Sequence, residues 1–165
     1  MTREAVATRK AVAVLTGNGV YGIVRFSERS GRHSGVQVTV SVTGVHPPSS
    51  WHALHIHKYG DLTRGCESTC EHFDISGSSH GGRDDAIRHT GDLGNVWSNA
   101  SGVVQESFVD KHISIDPSTP HSILGRSVVL HEDRDDNGRG RNEASRKNGN
   151  AGRRIACGVV GIAAA

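Results

Sequence analysis

Residues 36–43 read VQVTVSVT. Val36, Val38, Val40 and Val42 alternate with Gln37, Thr39, Ser41 and Thr43. Successive side chains of a strand point to opposite faces, so strict period two makes one dry wall and one wet wall. Pro47-Pro48 closes this stretch. Before it, residues 20–27 (VYGIVRFS) run into a Ser/Gly/Arg turn, and residues 11–15 (AVAVL) run into Gly17-Asn18-Gly19, a hairpin signal. Residues 53–58 (ALHIHK) make another short strand. Strands resume around 94–97, 103–109, 125–131 and 155–162. No internal repeat and no convincing amphipathic helix interrupts this series. Eight short strands with Gly-rich turns indicate an antiparallel sandwich or barrel.

Composition agrees. The chain has 165 residues, enough for one domain. Hydrophobic residues are 35% and aromatics 4%, so the core is built mostly of Val, Ile, Leu and Ala. Gly, at 21 residues, speaks for turns and against a helical bundle. Residues 1–9 read as a flexible lead-in and 10–165 as a single domain. No apolar run is long enough to span a membrane. The N-terminal MTREAVATRKAVAVL carries charges within its apolar patch and reads poorly as a signal peptide, so a cytoplasmic location is expected. A net charge of +2 is too mild to indicate nucleic acid. The basic run 134–154 is offset by Asp135, Asp136 and Glu143 and has no aromatic interleaving. Asn99-Ala100-Ser101 is a glycosylation sequon, read as idle without a secretory signal.

Two long segments, 60–92 and 132–154, lack periodicity. Ordering loops of that length costs conformational entropy, so something must tie them down. Histidine is the candidate. Six of the eleven His lie within 52–89: His52, His55, His57, His72, His80 and His89. His131 ends a predicted strand. His55 and His57 form an H-x-H pair, whose side chains share one strand face and can reach one ion. Imidazole suits copper and zinc. His72, His80, His89 and Asp92 supply three imidazoles and one carboxylate, a tetrahedral zinc set. Metal binding to such a set is folding energy.

In combination, HALHIHKYGD (52–61), GC (65–66), HF (72–73), HGG (80–82), RHTGDLGNV (88–96), VVLHEDRDD (128–136) and GNAGRRIACGVVGIA (149–163) resemble the copper–zinc superoxide dismutase family. The resemblance runs from about Lys10 to the C-terminus. It implies an eight-stranded antiparallel Greek-key β-barrel or sandwich with two long functional loops. It implies copper on His55, His57, His72 and His131, and zinc on His72, His80, His89 and Asp92. His72 is then shared by both metals and also acts as a proton donor. Asp135 matches the carboxylate that joins His55 to His80. Arg154 matches the arginine that holds superoxide beside copper. Lys147 and Glu143 match the charged rim that steers the anion. Cys66 and Cys157 match the intrasubunit disulfide, which leaves Cys70 as a free thiol.

The resemblance also implies a homodimer through Tyr59, Gly60, Ile123, Gly125 and Ile162, and copper loading by a delivery chaperone. The chain departs from the family at Asp74-Ile75, Arg141, Asn148 and Arg153. Arg141 and Arg153 are expected to add positive charge at the entrance and strengthen anion attraction. Two other functions compete with catalysis. A copper-delivery module of this fold is disfavoured because Cys66 and Cys70 are spaced C-x₃-C, not C-x-x-C. A single-zinc hydrolase is disfavoured because H-E-x-x-H is absent.

Overall fold

The structure, a computed structural model, describes residues 8–164. Strand β1 (Lys10–Gly17) turns through Asn18 and Gly19 into β2 (Val20–Arg29). Both turn residues have positive φ, 47° and 78°, which matches the twist of the flanking strands. The alternating stretch forms β3 (Gly35–Thr43). Val36, Val38, Val40 and Val42 all face the core, none more than 3% exposed. Each such burial contributes roughly 1.5–3 kcal/mol. The wet wall is also paired: Gln37 Nε2 donates to Ser107 Oγ at 2.5 Å and Ser41 Oγ to Gln105 Oε1 at 3.0 Å.

The chain continues through β4 (Ser50–His57), β5 (Thr63–Cys66), β6 (Asp92–Ser98), β7 (Val104–Asp110) and β8 (Ser127–His131). A short helix α1 (Glu143–Asn148) precedes β9 (Arg154–Val159) and β10 (Gly161–Ile162). The strand order is β6-β4-β8-β9-β1-β2-β3-β7, antiparallel throughout, with β10 added beside β1. The terminal neighbours β6 and β7 are consecutive in sequence and in contact, so the sheet curls into a nearly closed Greek-key barrel. Phe26, Leu15, Leu54, Ile56 and Leu130 fill it.

Strand β4 departs from simple alternation, because His52 to His57 are all buried. Leu54 and Ile56 belong to the barrel core. His55 and His57, on the opposite face, are covered instead by the two long loops. These loops are tied down by backbone bonds. Phe73 N–H donates to Ile56 C=O (2.8 Å), Lys58 N–H to Glu71 C=O (2.9 Å) and Ala53 N–H to Asp133 C=O (2.9 Å).

The eight expected strands are present, with two additions. β5 is short and largely exposed, so no apolar alternation announces it. α1 is six residues long and buries only Ser145, so it has no amphipathic period. It is defined by its ends: Asn142 Oδ1 accepts from Ser145 N–H, and Gly149 closes it at φ 70°. The stretch expected as one strand over 155–162 breaks at Val160, whose backbone bonds to Gly125 and Arg126 instead. Of the lead-in expected over 1–9, residues 1–7 lie outside the described residues. Arg9 is held by Glu28 and Asp116, each at 3.2 Å. No helix among the described residues is long and apolar enough to cross a membrane.

Candidate metal centre

The fold gathers histidines from three places. His55 and His57 come from β4, His131 from the end of β8, and His72, His80 and His89 from the loop before β6. Asp92 opens β6. All but His89 are nearly inaccessible. Side chains of His55, His57, His72 and His131 each offer a ligand atom, all within 4.8 Å of one another.

Hydrogen-bond partners decide where each imidazole keeps its lone pair. A carbonyl or carboxylate can only accept, so the ring nitrogen facing it carries the proton. His57 Nδ1 donates to Cys70 C=O at 2.7 Å and His131 Nδ1 to Gly152 C=O at 3.2 Å. Their Nε2 atoms therefore hold lone pairs, and these lie 3.4 Å apart. His55 Nε2 faces Asp135 Oδ2 and His80 Nε2 faces Asp135 Oδ1, both at 2.7 Å. One carboxylate thus fixes two rings with their Nδ1 atoms turned inward.

Two buried nitrogens, His55 Nδ1 and His72 Nε2, find no hydrogen-bond partner, and His80 Nδ1 has only the Asp92 carboxylate beside it. Leaving such groups unsatisfied costs roughly 1–3 kcal/mol each. A cation is the partner that fits converging lone pairs. His72 presents Nε2 to the His57–His131 side and Nδ1 to Asp92 Oδ1, 2.9 Å away. Asp92 Oδ1 is also 2.9 Å from His80 Nδ1 and 3.3 Å from His89 Nδ1. A second grouping by distance joins His55 to His72, His80 and Asp92. His55 enters it because its ring packs 4.0 Å from that of His72. His89 Nδ1 also approaches this group, 3.2 Å from His72 Nδ1 and 3.3 Å from the carboxylate.

The electrostatics of the two sides differ. Burial first, then the neighbouring imidazoles, lowers the pKa of His55 and His57 well below the usual value. Burial is also the main cause that brings His131 down to about 3. These rings are neutral and ready to ligate. At His80 burial opposes charge, but hydrogen bonds to Asp135 and Asp92 outweigh it and raise the pKa to about 9. Asp92 behaves in the complementary way. Burial opposes its charge, yet bonds from His72, His80 and His89 hold it far below the carboxylate range. This side of His72 favours a positive charge.

The family described as copper/zinc superoxide dismutase (SODC) matches residues 20–160. The chain belongs to that family. The copper–zinc superoxide dismutase of Onchocerca volvulus is 46% identical over 160 residues, covering 94% of this chain and 97% of that protein. That of Paramecium bursaria Chlorella virus 1 is 46% identical over 153 residues, covering 93% of this chain and 78% of that protein. A crystal structure described as the clock protein EA4 superposes with a TM-score of 0.88 at 41% identity, covering 99% of this chain and all of that one.

In this dismutase-family chain, His57, His72 and His131 open onto a cavity of about 850 Å³. Arg154 lines it and donates from Nη1 to Cys66 C=O (2.8 Å) and Thr69 Oγ1 (3.0 Å). Cys66 and Cys157 form the disulfide, closing 91 residues of chain. Cys70 is free and exposed. It lies at φ 66°, unusual for a residue with a Cβ, and its carbonyl orients His57. Lys147 and Glu143 pair at 2.9 Å on the exposed face of α1.

Two sequence expectations need correction. Ile123 is fully buried within the barrel, so it offers nothing to a partner surface. Arg153 lines the cavity but its guanidinium is held by both oxygens of Glu132, at 2.8 and 2.9 Å. Arg141 is exposed and lies outside the cavity lining.

Several supporting residues carry no sequence signal. Thr69 braces Arg154. Asn95 exchanges bonds with the backbone of Asp135, accepting at 2.8 Å and donating at 2.9 Å. His52 lay inside the histidine cluster in sequence, but both its ring nitrogens are engaged, by His131 C=O and Ser98 Oγ at 3.1 Å each. It therefore braces the end of β8. Gly149 packs so closely that a Cβ there would strike Asp135 Oδ1 and His80 Nε2. Its φ of 70° adds a second penalty for any side chain. Gly149→Ala is expected to weaken metal retention roughly 10- to 100-fold, as loss of an outer partner of a ligand does. Competition with a chelator of known affinity measures this.

Proposed function

We propose that copper is held by His55, His57, His72 and His131 and zinc by His72, His80, His89 and Asp92. The enzyme so formed dismutes superoxide to oxygen and hydrogen peroxide. The observation that carries this reading is the position of His72. Its Nε2 is a buried nitrogen with no protein partner on one side, and its Nδ1 meets the Asp92 carboxylate on the other. Copper, when bound, supplies the alternating one-electron reduction and oxidation that zinc lacks.

The chain's own residues do the rest. Asp135 holds His55 and His80 in the tautomer that turns Nδ1 inward. Arg154 is braced on one side by Cys66 and Thr69, and its remaining N–H donors orient the anion. His72 Nε2 would hold the proton that peroxide requires whenever it is not ligating copper. Lys147 and Glu143 shape the field at the rim.

Residues 10–165 act as one domain with the lead-in before it. The exposed apolar groups Tyr59, Val159 and Ile162, with Gly60 and Gly125 beside them, support a homodimer. A cytoplasmic location, where a chaperone would deliver copper, completes this reading.

Pulse radiolysis with metals counted in the same sample tests the function. Fast superoxide loss at one copper and one zinc per chain, abolished in His131→Ala, is the expected result. Full metal content with negligible turnover would instead make the protein a copper store or carrier.

A further inference from the structure

Which cations feel the substrate depends on which are already neutralised. Cations outnumber carboxylates in the cavity lining by five to three. Lys58 pairs with Glu71 at 3.6 Å, Lys147 with Glu143 at 2.9 Å and Arg153 with Glu132 at 2.8 Å. Among the described residues, Arg146 and Arg154 are the lining cations that enter no ion pair. Arg154 is braced by Cys66 and Thr69 and serves the reacting anion. The Arg146 guanidinium makes no hydrogen bond among the described residues, yet its backbone is anchored. Its carbonyl accepts from His80 N–H at 2.8 Å, which fixes where the side chain leaves α1.

We propose that Arg146 is a second anion-guiding residue of this enzyme, one that collects superoxide at the mouth and passes it to Arg154. The inference rests on the dismutase reading. It also replaces Arg141 and Arg153 as the source of added attraction. An ion pair is a short dipole, and its field at the cavity floor largely cancels. An unpaired guanidinium acts as a full charge with five free donors. With those pairs set aside the lining carries Arg146 and Arg154 beside Glu67 and Asp74, so losing Arg146 removes one of its two unpaired cations. A unit charge about 10 Å from the path changes the encounter rate roughly two- to threefold in dilute buffer. Screening erases this once the Debye length falls to about 3 Å at 1 M salt.

The test is the second-order rate with superoxide as a function of ionic strength, on fully metallated protein. Arg146→Gln is expected to be two- to threefold slower at low salt and to converge with the wild type at high salt. Arg146→Lys keeps the charge and should recover most of the rate. The double variant Glu132→Gln/Arg153→Gln removes a neutral pair and should follow the wild-type curve. The proposal is overturned if Arg146→Gln retains the wild-type rate and salt slope. It is equally overturned if Arg146→Lys is as slow as Arg146→Gln, which would mark a structural role through His80. A pair variant as slow as Arg146→Gln would also overturn it. A metallated wild type without turnover overturns the dismutase reading itself, and this inference with it.

Discussion

Stripping both metals is expected to lower the thermal midpoint by at least about 15 °C. Each metal held at about a thousandfold over its dissociation constant stabilises by roughly 4 kcal/mol. A protein of this size shifts by roughly 2–4 °C per kcal/mol. The structure says where the loss falls. The partnerless nitrogens of His55 and His72 belong to the site, and the segments 67–91 and 132–153 meet there. Limited proteolysis should cut those segments first, while β1, β2 and β3 stay protected from hydrogen exchange. The metal-free protein should also respond to pH on both sides of neutrality. His80 has its pKa raised to about 9, so its stabilisation is complete below pH 6.5 and fades as pH rises through 9. His131, at about 3, and the lowered His55 and His57 act oppositely. The unfolded chain takes up their protons first, so stability falls as pH drops below 6.5. With metals bound these nitrogens are ligands and both slopes flatten between pH 6 and 9. A stripped protein with unchanged midpoint and unchanged loop protection would refute the account.

The parts of this design visible in the sequence are those written in local pattern. Val36 to Val42 alternate because one wall of β3 is dry. His55 and His57 are two apart because one face of β4 turns toward the histidine cluster. His72, His80, His89 and Asp92 stand out as the proposed zinc set because they punctuate a segment that otherwise has no reason to be ordered. What stayed hidden depends on how the loops fold back. Nothing local distinguishes Thr69 from any turn threonine, or Gly149 from any helix-closing glycine. Ile123 is apolar and family-matched, and only the closed barrel shows that it faces inward. Arg141 and Arg146 are both loop-region arginines. Only the fold shows that the second, on α1, lines the cavity and that the first, ahead of the Asn142 cap, does not.

Replacing the disulfide by serines, Cys66→Ser/Cys157→Ser, is expected to cost about 4–5 kcal/mol on the chain-entropy argument for a 91-residue loop. The thermal midpoint of the metallated protein should fall by roughly 8–20 °C. The bridge has a second consequence that entropy does not describe. It ties the end of β5 to β9, and that end and the turn after it supply the Cys66 carbonyl and Thr69 hydroxyl that brace Arg154. Arg154 itself stands three residues before Cys157 on the same strand. The bridge therefore fixes both the guanidinium's strand and its brace. Without it, Arg154 keeps its charge but loses its aim. Superoxide turnover should fall several-fold while the dependence on ionic strength persists, because attraction survives where orientation does not. Arg154→Gln should reduce turnover and weaken that salt dependence together, leaving the midpoint within about 1–2 °C. Measuring rate, salt slope and midpoint on both variants separates the staple from the brace. A serine variant that is less stable yet fully active would show that Arg154 is positioned without the Cys66 carbonyl.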